Sequence, residues 1–342
     1  MKTLLRLLLK SQHQRNRSGR DQTDKGMTLV ELLVGAIMAF LIITPMLAFV
    51  VDMLNTDRRE QVKSNTEQDL QAAVDFIAQD LSQALYIYDQ DGINAINGSP
   101  TPLPSVANGT PILVFWKRQL QQNALPVIPI AKDNPNPLQC QTGIPCNDTY
   151  VLSLVAYYEV NDNDPDWCQP SGTSCPIRIV RYHIRDGLKD PQATPDDPYY
   201  VTVNPLLQSR SAAYNPLFNL SKPLENVTLP NIQWDSAVLV NYIDHSLKPI
   251  TDLEECQNAL GKPTTQTGGT TSLIPEDTLK VRKQTDINSF YACVDTQRNL
   301  ARVTIRGNSL RRIQTDADYD AQKAAYFPTA TVQVKGLGAR EQ

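Results

Sequence analysis

Residues 27–51 form an apolar run of 25 residues, MTLVELLVGAIMAFLIITPMLAFVV, in which Glu31 is the only charge. As a helix the run is about 37 Å long, enough to cross a bilayer with some tilt. A carboxylate there is costly, although less so near the interface than at mid-bilayer. It also sits in the first turn, where an acid complements the positive end of the helix dipole. Pro45 removes one helical hydrogen bond. That either loosens the helix or is tolerated, as in other membrane helices.

The flanks give the run a direction. Residues 1–26 hold seven Lys/Arg against two Asp, and Arg58 and Arg59 lie beyond the other end. The more basic side is expected to be cytoplasmic, with the remainder of the chain outside. MKTLLRLLLK starts like a secretory signal, but its apolar stretch is short and interrupted. Fifteen mostly polar residues, 11–25, then separate it from the long run. After residue 26 the chain carries 25 basic and 34 acidic residues. This is a poor partner for phosphate backbones, so nucleic acid is not an expected ligand. A local basic patch is possible, for example around Arg302, Arg306, Arg311 and Arg312, but these are read as exposed strand faces and a solvated loop.

All six cysteines, Cys140, Cys146, Cys168, Cys175, Cys256 and Cys293, follow the apolar run. Disulfides suit an oxidising compartment, which agrees with the orientation. Connectivity stays open; the simplest set is Cys140–Cys146, Cys168–Cys175 and Cys256–Cys293. Zinc is disfavoured because no C-x2-C is present and His183 and His245 stand alone.

Beyond the run, residues 52–69 are mostly polar. Leu70, Val74, Ile77, Leu81, Leu85 and Tyr88 then recur at spacings of three and four, one apolar helix face. No Gly or Pro occurs from Val51 to Gln90, so one helix is expected from Met27 to about Tyr88. After residue 90 the expected strands are Ile112–Trp116, Tyr150–Val160, Ile177–Ile184, Val227–Ile232, Ala237–Tyr242, Phe290–Val294, Ala301–Arg306 and Thr331–Val334. Residues 129–148, 186–198 and 257–278 read as long loops, with TTQTGGTTS (264–272) mobile. The fold class is therefore α+β, a helix on an antiparallel sheet with insertions. The organisation is a leader 1–26, a membrane helix 27–51, an amphipathic stem 52–90 and a β-rich outer domain 91–342.

Few residues suggest chemistry. Asn161, Asp162, Asn163, Asp164 and Asp166 offer oxygens to Ca²⁺, but the Gly and terminal Glu of an EF-hand are missing, and a solvated acidic turn is favoured. No G-x-S-x-G, H-E-x-x-H, P-loop or G-x-G-x-x-G occurs. His183 alternates within a strand and reads as partly buried. Trp116, Trp167 and Trp234 read as core or loop anchors. No catalytic or cofactor-binding residue is assigned.

The order basic leader, Lys25-Gly26-Met27, Thr-Leu-Val-Glu31 and then about twenty apolar residues resembles the processing site of type IV prepilins and type II secretion pseudopilins. The resemblance implies cleavage by a prepilin peptidase between Gly26 and Met27 and N-methylation of Met27. It makes Glu31 the fifth mature residue, the family's assembly glutamate; Met27 departs from the Phe usual in major pilins. DFIAQDLSQAL (75–85) is similar to the stem helix of larger minor pseudopilins, with Gln79 in place of a basic residue. YFPTATVQVKGLGAR (326–340) resembles cyanobacterial pseudopilins of hormogonium polysaccharide secretion. The resemblance implies a pilin-like fold and a non-enzymatic fibre subunit supporting secretion or motility; the outer domain, bulky for a repeating shaft, fits better at or near the tip. Its partners would be other pilins or pseudopilins, an inner-membrane assembly platform and membrane lipid, with the outer domain in the periplasm of a bacterium. The rival functions are a tip adhesin or DNA-uptake pilin, and a membrane-anchored periplasmic hydrolase.

Overall fold

The computed structural model describes residues 28–97, 103–126, 146–172, 175–185, 188–189, 200–201, 235–246, 254–267, 269–282 and 289–338. The chain divides into two compact units, Met1–Asp57 and Arg58–Gln342.

Helix α1 (Leu29–Ser82) begins in the first unit and ends in the second. In the first unit every described residue, 28–57, is exposed. This includes Leu29 at 84 %, Phe40 at 71 % and Leu54 at 62 %. It is the one described helix long and apolar enough to cross a membrane. Thr44 Oγ1 donates to Phe40 O at 2.8 Å just before Pro45, and the helix continues through the proline. Pro45 is thus tolerated within a continuous helix.

In the second unit α1 buries one face: Thr66, Leu70, Ala73, Val74, Ile77, Asp80 and Leu81. The spacing follows the apolar period of the sequence, as one helix face must. Burying Leu70, Ile77 and Leu81 contributes about 1.5–3 kcal/mol each, an upper figure because the unfolded chain is itself partly compact.

The helix stops at Ser82, short of the expected Tyr88. Strand β1 (Ala84–Ile87) follows and pairs antiparallel with β2 (Gly109–Pro126), Ile87 facing Phe115. Tyr88 N extends the pairing to Val114 O at 3.0 Å. The helical period does run on through Leu85 and Tyr88. The segment LYIY is nevertheless aromatic and β-branched, and an available edge of β2 decides its state. A short helix α2 (Gln90–Ile96) comes next, capped by Asp89, whose Oδ1 accepts from Gly92 N at 2.8 Å.

The larger sheet continues through β3 (Cys146–Val160) and β4 (Ile177–Arg185). Two-residue strands β5 (Leu188–Lys189) and β6 (Tyr200–Val201) pair with each other, and β7 (Asp235–Ile243) is the last strand of the larger sheet. Its order is β1-β2-β3-β4-β7, antiparallel throughout. The expected strand Val227–Ile232 lies outside the described residues.

Residues 257–278 are not a loop. They hold most of helix α3 (Glu255–Ala259), a hairpin of β8 (Thr264–Thr267) and β9 (Thr270–Leu273), and most of α4 (Glu276–Leu279). The β-branched threonines suit strands, and Gly269 supplies the positive φ of +83° at the turn. The Glu276 carboxylate accepts from Cys256 N at 2.8 Å and Gln257 N at 2.9 Å, closing the start of α3.

The second sheet holds β10 (Lys280–Val281), β11 (Phe290–Asp295), β12 (Leu300–Arg306) and β13 (Thr329–Lys335), in that order and antiparallel. Short 3₁₀ turns at Leu310–Arg312 and Ala321–Tyr326 lie between its last two strands. One apolar core joins the stem face of α1 to both sheets, through residues such as Phe115, Tyr157, Ile179, Phe290, Val303 and Ile305.

Asn299 stitches the sheets together. Its Nδ2 donates to Ala84 O at 2.9 Å and its Oδ1 accepts from Ile87 N at 3.0 Å. Its φ of +48° is a conformation that asparagine tolerates better than most residues. Gly338 N donates to Ala84 O at 3.2 Å, so the segment after β13 crosses β1 closely. A second junction joins the ends of β7 and β12, where Asp244 N donates to Arg306 O at 3.0 Å.

Candidate functional site

The processing pair Gly26 and Met27 lies outside the described residues. The structure begins one residue later, at Thr28, and there it shows why α1 starts where it does. Glu31 N lies 3.3 Å from Thr28 Oγ1 and 3.0 Å from Thr28 O. Thr28 and Glu31 therefore stand at the N-cap and third positions of a T-x-x-E start, in which the hydroxyl satisfies a backbone donor that the first turn cannot. Thr28 was not a candidate from sequence; the T-x-x-E spacing before an apolar run is the signal that finds it. Glu31 is exposed and sits beside the positive end of the helix. Its carboxylate is placed in the first turn of α1, ahead of the stretch whose residues are all exposed up to 57.

A second charged group, on the stem part of α1, seats the helix on the larger sheet. Asp80 Oδ1 accepts from Lys117 Nζ at 2.7 Å, and its Oδ2 accepts from Arg181 Nε and Tyr157 Oη, each at 2.7 Å. The three donors come from β2, β4 and β3. Exposure of the ionic side chains is 8 % for Asp80 and Lys117 and 15 % for Arg181. Burial alone would raise the pKa of Asp80. The hydrogen bonds and charges of Arg181 and Lys117 outweigh it and hold the carboxyl below its ordinary range. Burial and the neighbouring Asp80 charge push the Tyr157 phenol up, so it stays a donor. With both oxygens engaged by three donors, Asp80 is suited to holding three strands rather than to moving a proton. Asp80 lies in the stretch DFIAQDLSQAL, but its partners are 37, 77 and 101 residues away, and no local pattern announces them.

The basic cluster near residues 302–312 divides among internal partners. Arg306 Nε donates to the buried Asp244 at 2.7 Å, Arg311 Nη1 to Pro170 O at 2.7 Å, and Arg312 Nε to Thr66 Oγ1 at 2.9 Å. Arg312 also pairs with Asp69, giving α1 a second polar attachment. Arg302 lies half-buried on β12 opposite Gln333. The reading of these arginines as exposed strand faces and a solvated loop is thus corrected: Arg306 and Arg311 are buried and Arg302 and Arg312 half-buried, with Arg306, Arg311 and Arg312 held by loop and helix acceptors.

In the acidic turn, Arg178 holds Asp162 through two bonds, Nη1 to Oδ1 at 2.5 Å and Nη2 to Oδ2 at 2.7 Å, and Asp164 lies 3.8 Å from Nη2. Among the described residues, no three or more His, Cys, Asp or Glu side chains come together to hold a metal. Asn161, Asn163 and Asp166 belong to the same turn, where Asp166 N donates to Asp164 Oδ1 at 3.0 Å. His183 lies on β4, buried, with Nε2 3.1 Å from Gln119 Oε1, the same oxygen that accepts from Ser153 Oγ at 2.9 Å. Trp116 is a core residue whose Nε1 donates to Tyr88 Oη at 3.0 Å. Trp167 is partly exposed beneath Arg178, and Trp234 lies outside the described residues.

Among the described residues two disulfides are formed, Cys168–Cys175 and Cys256–Cys293, both pairings within the simplest set. The first closes a short loop against Arg311. The second joins α3 to β11 within a small cluster that also contains Leu260, Leu279 and Tyr291. Cys146 starts β3, and Cys140 lies outside the described residues. No protein family, curated protein or solved structure matches this chain.

Proposed function

We propose that this chain is a non-enzymatic subunit of a type IV pilus-like or type II secretion-like fibre, processed between Gly26 and Met27 and anchored by α1. The observation that carries the reading is the start of α1. Glu31, the one carboxylate between Leu29 and Val51, stands in the first turn of a helix whose apolar side chains are all exposed from Leu29 to Leu54. In a lone span the acid does no more than complement the helix dipole. In a fibre the amine of an adjacent Met27 would also pair with Glu31 as neighbouring helices exclude water from both charges. The same α1 element continues to Ser82, and its later stretch, from Thr66 to Leu81, buries one face on antiparallel strands, which supports the pilin-like arrangement. In this reading the outer domain is periplasmic. The large, disulfide-bonded sheet domain suits a tip position better than a repeating shaft, and the function is secretion, of polysaccharide, or motility.

Two measurements test it. Intact mass of the protein purified from cells with an active prepilin peptidase should match a chain beginning at N-methylated Met27; a retained 1–26 segment would falsify the processing. Glu31→Ala should leave processing, membrane insertion and disulfides intact and abolish complementation of a deletion strain. Loss of one partner from a buried ion pair costs about 3–5 kcal/mol, enough to cut incorporation by two or more orders of magnitude. Wild-type secretion by Glu31→Ala would leave α1 as a plain anchor.

A further inference from the structure

We draw no further inference here: the strongest candidate, the outer edge of β13 (Thr329–Lys335), which ends the four-stranded sheet with neither a proline nor a bulge to blunt it, carries nothing because no feature of the structure shows what strand or surface would cover it.

Discussion

Replacing Asp80 with alanine tests whether the stem is held by charge or by its apolar face alone. The substitution removes one acceptor group and leaves Lys117 and Arg181 at 8 % and 15 % exposure without their counter-ion. An uncompensated buried charge of this kind costs about 3–5 kcal/mol, whereas the lost carboxylate itself contributes little packing. For a unit of this size that corresponds to a melting temperature lower by roughly 10 °C. The assay is thermal unfolding of the full chain in detergent at pH 7, followed by far-ultraviolet circular dichroism. The quadruple variant Asp80→Leu, Lys117→Met, Arg181→Met, Tyr157→Phe removes all three charges together with the phenol that donates to Asp80, and its melting temperature should return close to wild type. The pH dependence has a definite sign. The folded pKa of Asp80 lies below its unfolded value, so the stabilisation is complete above about pH 4 and is lost as pH falls through the folded value. Wild type and Asp80→Ala should therefore converge in acid and differ by a constant amount near neutrality. A neutral-pH melting temperature within about 2 °C of wild type would refute the assignment of Asp80 as the counter-ion of both cations.

A Cβ on Gly338 would lie 1.9 Å from Leu85 O, a backbone atom that cannot swing aside. Gly338→Ala should destabilise the unit by about 1–3 kcal/mol, seen as a lower melting temperature and faster proteolysis after β13; unchanged values would mean that the segment crosses β1 more loosely. Thiol labelling of the denatured, unreduced protein should leave Cys168, Cys175, Cys256 and Cys293 unmodified, and labelling at any of the four would contradict the corresponding pair.

The features legible in the sequence are those that repeat locally. A run of 25 residues with one charge declares a helix long and apolar enough to cross a membrane, because length and apolar content are properties of the run itself. The stem face was legible from Leu70 to Leu81 for a related reason: a helix on a sheet repeats its buried side every three or four residues. The cores of the main strands, such as Ile177–Ile184 within β4 and Ala301–Arg306 within β12, stood out by alternation or by continuous apolar content. The short spacing of Cys168 and Cys175 suggested a local loop, whereas the choice of Cys256–Cys293 among the open pairings was decided by the fold. The tertiary structure decided what depends on distant partners. The helix ends at Ser82 because β2 offers LYIY a strand to pair with, and the Thr-rich segment 264–272 becomes a hairpin between α3 and α4. Asp80, unremarkable in a helical stretch, becomes the joint of three strands, and Asn299 the stitch between two sheets. Periodicity is a property of neighbours along the chain. A buried charge or a left-handed asparagine is explained only by atoms that folding brings from a hundred or two hundred residues away.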